Sequence, residues 1–151
     1  MGAMVPKITP LLDLAGIGGI LCHGCFDVLH IGHIRHLEAA RAMRPEGPLT
    51  VTITADRFIS KGHGRPVFPA ADRAQCLAAL ACVDHVAICE ESTGLSAIDT
   101  IRPVLYVKGK EYEHASGVSA MEREAVLQYG GTMAYTDRWH STTAILERLS
   151  V

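Results

Sequence analysis

The fold turns on residues 19–43, GILCHGCFDVLHIGHIRHLEAARAM. GILCHG (19–24) is an apolar run flanked by turn-forming glycines, the pattern of a buried strand in a parallel sheet. From His30 onward the period changes, and Ile31, Ile34, Leu37 and Ala40 recur at helical spacing through HIGHIRHLEAARAM. Between strand and helix stand His23, Asp27, His30 and His33 with Gly24 and Gly32, a composition that apolar packing does not ask for.

Outward from this stretch the chain keeps alternating. LTVTITA (49–55) is a β-branched strand, and DRFISKGHGRPVF (56–68) is a basic loop with two glycines and a proline, too polar for a core. The spacing predicts a helix from Pro69 to about Ala81, a strand at DHVAIC (84–89), a helix at GLSAIDTI (94–101) and a strand at PVLYVK (103–108). A helix over 118–129, a short strand TMAYT (132–136) and a closing helix STTAILERL (141–149) capped by Ser141 complete the pattern. Five strands joined by helix-length crossovers predict a single doubly wound, Rossmann-like α/β domain, its five-stranded parallel sheet covered by helices on both faces. Such sheets bind ligands beyond the carboxyl ends of their strands, near the reversal of strand order. The histidine cluster follows the first strand and is expected there. Met1 to Met4 (MGAM) read as a vector-derived leader, with the domain core at about 17–150.

Composition narrows the function. The 151 residues are 48% apolar and 20% charged, ordinary for one globular domain. Sixteen acidic against fourteen basic side chains leave a net charge of −2, so no general affinity for nucleic acid or an anionic membrane is expected. The five cysteines are odd in number and lie mostly in apolar runs, which reads as reduced thiols of a cytoplasmic protein. No apolar run reaches the roughly 20 residues of a membrane span. CHGC (22–25) has C-x-x-C spacing, and a structural metal site built from Cys22, His23, Cys25 and His30 is an alternative that predicts bound zinc.

GIGG (16–19) precedes the first strand and lacks the strand–GxGxxG–helix order of a dinucleotide fingerprint. Gly32 is the useful glycine. At the start of a helix, its missing side chain lets an anion approach free backbone N–H donors. His30 and His33 flank it and can donate to phosphate oxygens while adding positive character where a phosphorus centre gathers charge. His36, a turn further along, is expected to be a satisfied surface or core group. Asp27, at a strand end with no predicted structural partner, suits a cation between itself and phosphates, and capping of the next helix is its competing use. Ser141, Thr142 and Thr143 open the last helix without a Glu or Gln to complete a capping box, so their N–H groups and hydroxyls are available to a phosphate or to plain capping.

GCFDVLHIGH (24–33) resembles the G-x-F-D-x-x-H-x-G-H signature of the cytidylyltransferase-like nucleotidyltransferases, the group of glycerol-3-phosphate cytidylyltransferase and the adenylyltransferase domain of ADP-heptose synthesis. TADRFISKGHGRPVFPAADRAQCLAAL is similar to the basic loop and arginine-bearing helix of the heptose-phosphate enzymes, CVDHVAI and RPVLYVKGKEY to their third and fourth strands, and HSTTAIL to their terminal S-T-T block. The resemblance implies that His30, His33, Arg73, Ser141 and Thr142 serve catalysis at the phosphates. It implies nucleotide contacts from Gly24, Cys25, Phe26, Asp27, Gly32, Lys61, Arg65, Lys108, Gly109, Arg138 and Thr143, and magnesium near Asp27. The implied reaction is attack by a small phosphorylated acceptor on the α-phosphorus of a nucleoside triphosphate, with pyrophosphate leaving, in an enzyme that is commonly a homodimer. The GRPV loop and VKGKEY favour ATP and a heptose-1-phosphate-like acceptor. Lys110-Glu111 departs from the usual Gly-Asp of the heptose enzymes, and Trp139-His140 is a second departure. CTP with a polyol phosphate, flavin-nucleotide synthesis and a non-catalytic nucleotide-binding module stay open.

Overall fold

A computed structural model describes residues 6–137 and 139–150. The strands are β1 (Ile20–Gly24), β2 (Leu49–Thr54), β3 (His85–Cys89), β4 (Leu105–Gly109) and β5 (Thr132–Thr136). They form one all-parallel sheet in the order β3-β2-β1-β4-β5. The helices are α1 (Ile31–Met43), α2 (Ala70–Ala78), α3 (Leu95–Ile101), α4 (Val118–Gln128) and α5 (Thr142–Leu149). Each expected element is present. The second helix runs Ala70–Ala78 and stops short of the expected Ala81, and three short 3-10 turns at Leu11–Leu14, Asp56–Phe58 and Lys110–Tyr112 were not expected.

Alternation along each strand splits the core in two. Ile20, Cys22, Val51 and Ile53 pack with Leu37 and Ala40 of α1 and Ala74 and Leu77 of α2. Leu21, Ala87 and Tyr106 pack on the other face with Ala97, Ile98 and Ile101 of α3 and Val126 of α4. Helices therefore cover both faces, as period-2 strands with an apolar residue on each side require. The GIGG segment is the turn into β1. Gly19 has φ +66°, and a side chain on it would collide with Pro48. Among the described residues, no helix is long and apolar enough to cross a membrane.

The chain winds from β1 outward to β3, then crosses back to place β4 on the other side of β1. That reversal opens a crevice at the carboxyl ends of β1 and β4, the place where such sheets bind ligands.

Candidate active site

A cavity of about 350 Å³ occupies this crevice. Its wall includes Gly24, Cys25 and Phe26 after β1, Gly32, His33 and His36 of α1, Lys61 of the loop, Lys108 and Gly109 of β4, and Ser141, Thr142 and Thr143 opening α5. The structure thus brings together eleven of the sixteen residues expected in the site. Arg138 lies outside the described residues. His30, Asp27, Arg65 and Arg73 are not part of that wall, and each has a definite structural task.

The histidine pair is a reciprocal helix cap. His30 is the N-cap of α1, and its Nδ1 accepts the Gly32 N–H at 3.0 Å. In return, the His30 N–H donates to His33 Nδ1 at 3.3 Å. Two imidazoles here do what Ser and Glu do in an ordinary capping box. Because both Nδ1 atoms accept, both neutral rings carry their proton on Nε2. The rings stack with centroids 3.8 Å apart, and Phe26 meets His33 edge-on at 5.3 Å. His33 is thereby fixed on two sides, and His30 Nε2 is a buried polar atom without a protein partner.

Two expectations change here. Burial, with His30, His36 and Lys61 nearby, pulls the His33 pKa down to about 3, and burial with His140 lowers that of His30. The rings are therefore neutral donors, and the positive character expected of them comes from elsewhere. Gly32 also has a nearer duty than admitting an anion, since a Cβ there would sit 2.8 Å from the His30 ring and 3.2 Å from the His140 nitrogen. The proximity to His140 brings the start of α1 beside the start of α5. The N-terminal partial charges of two helices meet at one cavity, with Lys61 and Lys108 in the same wall.

Asp27 has the structural partners that the sequence did not predict. It is 2% exposed, and its carboxylate accepts from Arg65 Nε (2.8 Å), the Val67 N–H (2.9 Å) and the Phe68 N–H (3.1 Å). These bonds hold its pKa below the usual range against the opposing effect of burial. Phe26 and Val28 on either side have φ of 50° and 56°, left-handed conformations that are strained for such side chains. Asp27 pins this turn to the 56–68 loop. Arg65 reaches on to Thr143 Oγ1 at 3.5 Å.

Arg73, expected to face phosphates, is instead 2% exposed beneath the loop. It donates to the carbonyls of Phe68, Cys25 and Thr54 at 2.8–3.0 Å and to Asp56 at 2.6 Å. Its fork ties β2, the loop and the β1–α1 turn together. Ser141 caps α5, its Oγ accepting the Ala144 N–H at 3.1 Å.

Sequence reasoning gave no role in substrate binding to several residues of the wall, namely His36, Glu111, Tyr112, Asp137 and Trp139, and took His23 only as a member of the cluster and of the zinc alternative. His23 bonds Thr52 Oγ1 through Nδ1 at 2.9 Å and Thr54 Oγ1 through Nε2 at 3.4 Å, and burial chiefly pulls its pKa to about 4. His36 is satisfied by Thr136 Oγ1 at 2.6 Å, as expected of a satisfied group, yet it lines the cavity. Lys108, which was expected in the site, has a partner that was not, pairing with Glu122 at 2.7 Å. Glu111 and Asp137 supply carboxylates, and Tyr112 and Trp139 supply rings. For His23 the signal was its place at the end of the first strand. Cys22 is buried in the core while Cys25 borders the cavity, and among the described residues no cluster of His, Cys, Asp or Glu is grouped to hold a metal.

Comparison with known proteins identifies the family. The profile of the cytidylyltransferase-like family matches residues 21–148. The bifunctional protein HldE of Syntrophotalea carbinolica is 39% identical over 135 residues, covering 86% of this chain and 26% of that protein. Those of Geobacter sulfurreducens and Acidiphilium cryptum are 40% and 45% identical, covering 86% and 84% of this chain and 26% of each relative. The chain thus spans about a quarter of the length of these relatives. Among solved structures, a lipopolysaccharide core biosynthesis protein from Thermoplasma volcanium shares the fold with a TM-score of 0.62 at 22% identity, covering 83% of this chain and 99% of that one. With its signature at a β1–α1 junction where two helix termini converge, the chain belongs to the cytidylyltransferase-like family.

Proposed function

We propose that the chain transfers a nucleoside monophosphate from a nucleoside triphosphate, ATP by preference, to a small sugar phosphate of the heptose-1-phosphate kind, with release of pyrophosphate. The observation that carries this reading is the meeting of two helix N-termini, two lysines and a neutral, oriented His33 in one cavity. The similarity to HldE proteins and the GRPV and VKGKEY segments support the acceptor class.

The chemistry asks little covalent work of the protein. A phosphate monoester is already a nucleophile, so the chain has to align two anions and reduce their repulsion. The starts of α1 and α5, with Lys61 and Lys108, supply positive potential for the phosphates. His33 Nε2–H is a donor for an oxygen of the transferring phosphoryl group, where charge develops. Arg73 and Asp27 act from behind, fixing the loop that carries Lys61.

Magnesium arriving with the triphosphate would supply further charge neutralisation. Magnesium bound to phosphates needs only one or two protein carboxylates. Asp27 fits poorly, since its oxygens already accept three donors. Glu111 and Asp137, in the cavity wall, fit better. A cytoplasmic homodimer is the expected setting.

The test is pyrophosphate release with ATP, CTP, GTP and UTP against a panel of sugar and polyol phosphates. Release with ATP and a heptose or related sugar 1-phosphate supports the full reading. Preference for CTP with a polyol phosphate replaces the substrates, and no release in any combination removes the catalytic reading.

A further inference from the structure

Glu122 lies on the inward face of α4, one turn before Val126, where a helix packed on a sheet calls for an apolar residue. It is 2% exposed. Its Oε1 accepts the Gly94 N–H at 2.9 Å, and its Oε2 accepts the Tyr106 hydroxyl at 3.0 Å and Lys108 Nζ at 2.7 Å. Taking a carboxylate out of water is costly, and apolar side chains of similar volume commonly replace buried ion pairs without loss of stability. Packing alone therefore gives no reason for a glutamate here.

The position of its partner does. Lys108 stands at the carboxyl end of β4 beside the reversal of strand order, a residue of the cavity wall with its side chain 13% exposed and its ammonium 4.6 Å from the Tyr112 ring centroid. A lysine stem is flexible and its head strongly hydrated, so an unheld ammonium has many alternatives to one spot in a wall. Glu122 removes them, and through Gly94 and Tyr106 it also ties the lysine to the start of α3 and to β4. We propose that Glu122 is a positioning residue, holding the Lys108 ammonium where it meets a substrate phosphate. The phosphate in this statement rests on the nucleotidyl-transfer reading above.

The sign of one substitution separates positioning from simple charge. Removing a carboxylate near an anion site should tighten anion binding if only charge mattered. Glu122→Gln has a different consequence under positioning. Both carboxylate oxygens accept, whereas a glutamine offers one oxygen and one NH2, so either Gly94 or the Lys108–Tyr106 side must face a donor.

Inorganic phosphate, pyrophosphate and ATP are titrated calorimetrically into the wild type, Lys108→Met, Glu122→Gln and the double variant, with folding checked by circular dichroism. Lys108→Met is expected to weaken at least one probe by about tenfold, the scale of a lost charge-assisted hydrogen bond. Glu122→Gln should weaken the same probe comparably and add nothing in the Lys108→Met background. Unchanged or tighter binding in folded Glu122→Gln overturns the proposal, as does a loss that persists without Lys108 or a wild type that binds none of the three. If Glu122→Gln does not fold, Glu122→Asp, which keeps the charge but withdraws the oxygens by one methylene, is expected to weaken that probe; wild-type affinity overturns the proposal. A wild type that binds anions as expected yet releases no pyrophosphate sinks the reaction and leaves this assignment standing.

Discussion

His33 shows what a single residue contributes. Its Nδ1 is occupied by the His30 N–H, its faces by His30 and Phe26, and burial keeps the ring neutral well below physiological pH. It offers one donor, aimed by its neighbours. His33→Ala should therefore lower turnover by about 10²–10³ with the fold intact, the usual cost of a lost transition-state donor. Turnover at the wild-type rate in the pyrophosphate assay would remove it from the mechanism. His23 makes a different prediction. Burial is the main cause of its lowered pKa of about 4; the Glu122 charge opposes the shift and Lys108 adds to it. The folded chain thus refuses a proton that the unfolded chain accepts near 6.5. The stability this gives is complete above pH 6.5 and is lost as pH falls toward 4. Between pH 7 and pH 5 the loss from His23 should be up to about 2 kcal/mol, and His23→Gln should show less pH dependence in urea unfolding. Identical pH slopes in both proteins would contradict this. The sequence marked His30 and His33 by motif, but the neutrality of the rings depends on burial, which no spacing reports.

Among elements, the β1–α1 turn and the 56–68 loop act as one unit. Asp27 and Arg65 are 38 residues apart and Arg73 and Cys25 are 48 apart, yet they close one hydrogen-bonded clamp around two left-handed residues. The periodicity of the chain announced every strand and α-helix, because burial on a sheet imposes periods of 2 and 3.6. It could not announce the clamp. A loop has no period, and a basic residue in it looks alike whether it meets solvent, a phosphate or Asp27. The three 3-10 turns escaped for a related reason, being too short to show a repeat. Arg73→Met tests the clamp. It leaves the Phe68, Cys25 and Thr54 carbonyls without their donor, and each orphaned buried group costs about 1–3 kcal/mol. Unfolding in urea should reveal a total loss of about 3 kcal/mol or more. A loss under 1 kcal/mol, with activity alone abolished, would return Arg73 to direct phosphate contact.

Across the whole molecule, strand order makes the site. α1 and α5 begin more than a hundred residues apart in sequence, and they meet because β4 is inserted between β1 and β5 while every strand points the same way. Alternating strands and helices foretold a crevice at the carboxyl edge. Which loops would share it was not legible, and Glu122 in particular looked like any charged residue of a surface helix until α4 docked. One consequence concerns global stability. A triphosphate bound in the crevice would touch the first helix, the last helix and the strand between them, and would bind only when all are assembled. Mass action then stabilises the native chain by about 2.7 kcal/mol at a ligand concentration of 100 times Kd. For a chain of this size each kcal/mol raises Tm by roughly 2–4 °C, so saturating ATP with magnesium should raise the midpoint by roughly 5–10 °C in a thermal melt. Adenosine, which lacks the phosphates proposed to meet two helix ends and two lysines, should raise it far less. Equal shifts from ATP and adenosine would mean that the helix termini do not hold the phosphates.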